Sequence, residues 1–195
     1  MARTKRLWYA VRSMMTGIGA RSEEDQFVKT IIVLAAHGAP ATDCPRRTIG
    51  MFMALESMPR FVKRFGFLQR LKDSLDQRIR CWPRTSQNDP YREGVKVLSE
   101  RLAAQTGYDI ISGYLEFCAP DIGTCIDEAA GRGALRVVVV TTMTTRGGEH
   151  SETEFREIVE AAQKRYPGVE ILYAWPFDTD RVTRFFADEI ERFSA

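Results

Sequence analysis

The sequence predicts an α/β fold, a parallel sheet with helices on both faces and a helical insertion after the first strand. Three observations carry this. Residues 137–140 are four successive valines, a run suited to a strand buried on both faces of a parallel sheet. Ile31 to Ala36 is a second apolar run that, like the first, breaks into a glycine-bearing loop. Around these runs lie segments with apolar residues at helical spacing, so four strands alternate with helices, the pattern of right-handed βαβ crossovers. A chain of 195 residues, 44% hydrophobic and 28% charged, can bury one core and is short for two. We expect a single α/β domain over residues 29–195, preceded by a basic arm over residues 1–28.

In chain order, the first strand is expected from about Lys29 to Ala36, ended by His37-Gly38-Ala39-Pro40. From Cys44 the pattern turns helical for an unusual distance, with Ile49, Phe52, Met53 and Leu55 in one piece and Phe67, Leu68, Leu71, Leu75 and Ile79 in another, separated by Pro59. This is the insertion, residues 44–88. Asp89-Pro90 opens the next helix, whose stripe of Val95, Leu98, Leu102 and Ala103 runs up to Gly107. A second strand is expected over 109–117, a short helix over 121–130, and the valine strand after Gly131-Arg132-Gly133. Gly147-Gly148 ends that strand, and Ser151 is the expected N-cap of a helix bearing Phe155, Ile158, Val159 and Ala162, which places His150 between strand end and helix start. A fourth strand over 169–175 and an amphipathic helix over 178–193 close the chain. Of the strand orders available, the flavodoxin-like 2-1-3-4 makes the first and third strands neighbours at the switch point, where open α/β sheets bind ligands.

Charge is unevenly spread. The net charge is +2, yet residues 1–21 carry five basic residues and no acid, and residues 46–84 carry ten basic residues against three acids. The remainder is therefore −10, and the basic segments suit an anionic partner. Cys44, Cys81, Cys118 and Cys125 show no metal-binding or disulfide spacing, which fits free thiols in a reducing, cytoplasmic setting and reads as buried apolar filling. No apolar run approaches the about 20 residues of a membrane span. Peripheral membrane contact through the basic, aromatic surface stays open, while no nucleic-acid motif is present.

The chain has only two histidines, His37 and His150, and each follows a strand. A lone histidine in such a place is more often an ordinary loop residue. Two at matching strand ends, on strands expected to be adjacent, point instead to one metal or proton-transfer site. A nucleotide or flavin site fits less well, because the loop after the first strand lacks a phosphate cradle.

Three stretches together resemble the class II tetrapyrrole chelatases, the CbiX-type sirohydrochlorin chelatases. Val33-Leu34-Ala35-Ala36-His37-Gly38-Ala39 is similar to the family's strand followed by His-Gly-Ser. Tyr114-Leu115-Glu116-Phe117-Cys118-Ala119-Pro120 is similar to its Leu-Glu followed by proline, and Gly148-Glu149-His150-Ser151-Glu152-Thr153-Glu154 to its Gly-x-His followed by an acid. Ala39, Thr142 and Glu154 depart from the family's serine, proline and aspartate. The resemblance covers about residues 29–41 and 89–193, and the insertion looks like the corresponding stretch of protohaem-type ferrochelatases.

The resemblance implies a lyase that inserts a divalent metal (cobalt, iron or nickel) into a tetrapyrrole such as sirohydrochlorin, acting as a homodimer. The metal is then substrate, and no organic cofactor is expected. The chemistry suits the residues. Neutral imidazole binds borderline metals and accepts protons near neutral pH, and His37, His150 and Glu116 become the candidate metal-holding and catalytic groups. Glu149 and Glu154 read as helix N-terminal charges. For substrate binding, Arg46, Arg47, Arg60 and Arg64 suit the macrocycle's carboxylates, Phe52 and the nearby Met51, Met53 and Phe67 its flat face, and Gly148 a close backbone approach. The insertion is expected to act as a mobile basic lid. The alternatives are a protohaem-type ferrochelatase-like enzyme and a non-catalytic protein that binds a metal or tetrapyrrole through the same histidines.

Overall fold

The computed structural model describes residues 28–59 and 66–194. The basic arm expected over residues 1–28 lies almost wholly outside the described residues. Four strands, β1 (Thr30–Ala36), β2 (Asp109–Tyr114), β3 (Arg136–Thr141) and β4 (Glu170–Tyr173), form one parallel sheet in the order β2-β1-β3-β4, as expected. Val33 is paired with Ile111 on one side and Val139 on the other, so β1 is hydrogen-bonded along both edges.

Among the described residues six α-helices accompany the sheet: α1 (Arg46–Glu56), α2 (Gly66–Arg80), α3 (Pro90–Thr106), α4 (Ile122–Gly131), α5 (Phe155–Arg165) and α6 (Thr179–Ser194). Local chemistry sets their ends. Asp89 accepts a hydrogen bond from the Arg92 N–H at the start of α3, Pro90 takes the first turn where no N–H is needed, and Gly107 closes the helix with a left-handed φ of +73°. Asp121 caps α4 in the same way through the Thr124 N–H. None of the helices among the described residues is long and apolar enough to cross a membrane.

One face of the sheet is fully packed. Ile31, Val33, Ile111, Val137, Val139 and Ile171 meet Ile122, Cys125 and Ile126 of α4 and Phe155, Val159 and Ala162 of α5. The opposite face has a smaller core in which Leu34, Ala36 and Tyr114 meet Val95 of α3. The valine strand is therefore not buried on both faces. Val137 and Val139 are buried but Val138 and Val140 only half so, because α3 lies over the β1–β2 half of that face.

Two further expectations are corrected. The second strand stops at Tyr114, because after it the chain turns through Phe117 at a left-handed φ of +59°, which no strand accommodates. Ser151 is not an N-cap: a wide π-helical turn over His150–Glu154 runs directly into α5 and carries Ser151 inside it, buried, with its hydroxyl donating to Gly148 O. His150 is thus the first residue of the helical turn.

The insertion is built into the domain. Phe52, Leu55, Leu75 and Ile79 of α1 and α2 form a core of their own, which closes over Phe117 from the loop after β2.

Candidate active site

The adjacency of β1 and β3 delivers His37 and the loop ending at His150 to the same edge of the sheet. His37 leaves β1 directly. Gly38 follows with φ +95°, and a Cβ there would stand 2.0 Å from the Glu116 carbonyl oxygen, so only glycine lets the chain turn so close to that loop. The N–H groups of Leu115 and Glu116 donate to Ala36 O and His37 O at 2.9 and 2.8 Å, which fixes the Glu116 loop alongside His37 although Glu116 lies beyond the strand.

The three candidate side chains are all half-buried neighbours. The ring centroids of His37 and His150 are 5.0 Å apart, edge to face, and His37 Nε2 is 3.8 Å from Glu116 Oε2. His37 Nδ1 lies 2.9 Å from Gly38 O, an atom that only accepts, so in the neutral ring Nδ1 carries the proton and Nε2 the lone pair. His150 Nδ1 is buried and 3.1 Å from Glu154 Oε2 but makes no hydrogen bond. The π turn leaves Ser151 O to accept from the Tyr173 hydroxyl at 2.9 Å, and burial pushes that hydroxyl up to about 12, so it stays a donor. Among the described residues no three His, Cys, Asp or Glu side chains are disposed to enclose a metal ion. His37, His150 and Glu116 are adjacent without forming a closed ligand set.

The other predicted residues divide. Arg46 and Arg47 are exposed at the start of α1, and Arg60 and Arg64 lie outside the described residues. Phe52 is corrected from a surface residue to a core one: it is 4% exposed and packs edge-on against Phe117 at 5.9 Å, so it supports the site from behind. Met51, Met53 and Phe67 are exposed on the insertion. Gly148 sits beside the π turn, where its carbonyl accepts from Ser151 and Glu152. The cysteines are all free, and Cys81 is exposed rather than buried.

Two residues not anticipated hold the site together. Arg80, at the end of α2, donates to Cys118 O and Leu115 O at 3.0 and 2.6 Å. The buried Arg84 donates to Ala39 O at 2.7 Å, to Ile79 O at 3.1 Å and to Phe117 O, and pairs with the buried Asp89. Between them they grip the backbone on both sides of Glu116 and just after His37. The insertion is therefore anchored at its base. A separate groove between α3 and β2, lined by Arg92, Lys96, Ser112 and Tyr114, includes none of the three candidate groups.

The CbiX family model matches residues 83–191, more than half of the chain. The chain belongs to the CbiX family. This bears out the resemblance to the class II chelatases, and the matched segment contains Glu116 and His150, while His37 lies outside it. The fold is shared with the putative cobalamin (vitamin B12) biosynthesis CbiX protein from Marinobacter aquaeolei VT8, at a TM-score of 0.50 and 17% identity over 84% of this chain and 95% of that one. The sirohydrochlorin chelatase SirB from Bacillus subtilis subspecies spizizenii, in complex with cobalt, is similar at a TM-score of 0.43 and 18% identity. SirB from Bacillus subtilis with Fe3+ follows at 0.39 and 15%. This CbiX chain covers 44% and 39% of those two chains, less than half of either. No curated protein matches it in sequence.

Proposed function

We propose that the chain is a metal chelatase that inserts a divalent metal, cobalt, iron or nickel, into a tetrapyrrole such as sirohydrochlorin. The observation that carries this is the pair of imidazoles, 5.0 Å apart at the ends of adjacent strands with a carboxylate beside them, in a chain of the CbiX family. Insertion requires a group that holds the incoming metal loosely and groups that take two pyrrole protons. His37 Nε2 keeps its lone pair because Nδ1 is committed to Gly38 O, so it serves as ligand to the metal or as proton acceptor. His150, with Nδ1 turned to Glu154, is the second such group, and Glu116 is the third donor and a relay for protons leaving His37.

On this reading residues 29–195 are one chelatase-like domain with residues 1–28 an appended basic arm, and the active form is a homodimer. A protohaem-type macrocycle is the second reading, favoured by the exposed Met51, Met53 and Phe67 on the insertion, an apolar surface beside the exposed Arg46 and Arg47.

Incubating the purified chain with metal-free sirohydrochlorin or protoporphyrin and Co2+, Fe2+ or Ni2+ tests the proposal by absorbance. His37→Ala and His150→Ala should each lower the insertion rate by roughly 100-fold or more, as loss of general acid–base groups does. Their thermal midpoints should barely move, because each side chain is 35% exposed and its removal leaves no core cavity. Near-normal turnover in both variants would end the assignment, and binding of macrocycle without turnover by the unmodified chain would favour a carrier.

A further inference from the structure

The helix α6 carries Val182, Phe185, Phe186, Ile190 and Phe193 at helical spacing, one apolar stripe, yet none of its residues is buried. Ile190 is 65% and Phe193 81% exposed. Among the described residues, part of one sheet face has no helix over it. On the side that bears Leu34 and Ala36, α3 lies over β1 and β2, while over β3 and β4 Val138 and Val140 are half-buried and Leu172 is 42% exposed. Leu98, one turn beyond the buried Val95, is exposed on α3.

The start of α6 is fixed where it is. Ala174 N–H donates to Val139 O at 2.9 Å, the Trp175 ring stacks on Tyr173 at 6.2 Å and meets Phe177 edge-on at 5.4 Å, and Asp178 caps the helix through the Arg181 N–H. This aromatic ladder sends α6 off its own sheet with its stripe unsatisfied.

We propose that α6 packs across β3 and β4 of a second copy of this chain, each copy lending its helix to the other. Two complementary surfaces carried by one chain, neither covered by an element among the described residues, are what a reciprocal exchange requires. The area suffices. The exposed aromatic and aliphatic side chains of one α6 offer roughly 400–600 Å². Two helices with the two faces that receive them then bury on the order of 2,000 Å², enough for a stable interface. The exchange specifies how the dimer forms and does not depend on the chelatase chemistry.

Sedimentation equilibrium on the full chain tests it. The unmodified protein should be a dimer. Phe186→Asp with Ile190→Asp on the helix, and separately Leu172→Arg on the sheet, should each weaken dimerisation by at least about 100-fold, as loss of buried apolar anchors does. Circular dichroism should show both variants folded, because the replaced side chains are exposed in one chain; Phe186→Ser with Ile190→Ser repeats the test if the aspartates lower helix content. Mixing the two variants should restore part of the association, since the intact helix of one then meets the intact face of the other. A monomeric unmodified protein, a dimer indifferent to these substitutions, or a mixture no more associated than its parts would each overturn the exchange. A dimer indifferent to them would leave the homodimer and chelatase readings standing.

Discussion

His37 has its Nδ1 turned to Gly38 O, and this hydrogen bond decides which of its nitrogens faces the site, whereas His150 Nδ1 stands beside Glu154 without a hydrogen bond. Glu154→Gln keeps the shape but removes the negative charge 3.1 Å from His150 Nδ1, and should lower metal affinity or insertion rate by up to about 10-fold, as loss of a nearby opposite charge does. Isothermal titration with Co2+ alone, beside the insertion assay, would show it; equal affinities in the two proteins would make Glu154 a plain helix charge. The histidines were legible in the sequence because both follow apolar runs into glycine loops. The spacing of Glu154, four residues after His150, was equally legible, but helix starts so commonly carry acids that it read as one of them. Arg80 and Arg84 gave no signal, since every carbonyl they hold except Ile79 O lies at least 33 residues away in sequence.

Among the elements, α1 and α2 were recognised from spacing, but their attachment was not, because nothing in an amphipathic pattern says what the apolar face will cover. The structure answers through Arg84. Its replacement by Ala leaves Asp89 as an uncompensated buried charge and frees the Glu116 loop, so stability should drop by about 3–5 kcal/mol in denaturant titration. Arg84→Lys, which has no forked guanidinium, should recover only part of it. At α4 the contact is closer still. Gly113 on β2 has no side chain where a Cβ would lie 2.8 Å from Cys125 Sγ, so the helix settles onto the strand and the thiol is sealed beneath it. Burial, and after it the charges of Asp121 and Glu128, pushes that thiol up to about 12 from 9.0. The raised value means that the fold holds the proton more tightly than the unfolded chain does. Its contribution to stability is therefore complete below pH 9 and is lost between pH 9 and 12. The drop in thermal midpoint from pH 8 to pH 10.5 should be smaller in Cys125→Ala than in the unmodified protein, even though the variant is less stable at pH 8; equal drops would assign the alkaline loss to other groups.

For the whole molecule, the strand order β2-β1-β3-β4 was legible because four apolar runs alternating with helices leave few right-handed solutions. The half-open face over β3 and β4 was not, since four valines in a row announce burial on both sides, whereas Val138 and Val140 are only half-buried. The central place of β1 also governs the order in which the molecule can assemble. Its hydrogen-bonding edges are both filled by strands made later, and the insertion stands between it and β2, so during synthesis β1 waits unpaired while the insertion is made. The insertion lengthens that closing loop at an entropic cost of only about 1 kcal/mol, because closure grows with the logarithm of length. Its effect falls on the clock instead: first pairing is postponed and the contacts become more distant in sequence, which slows folding. Over that interval a short apolar strand with two open edges is exposed to other chains, and the CbiX fold with this insertion should lean on chaperones more than one without it.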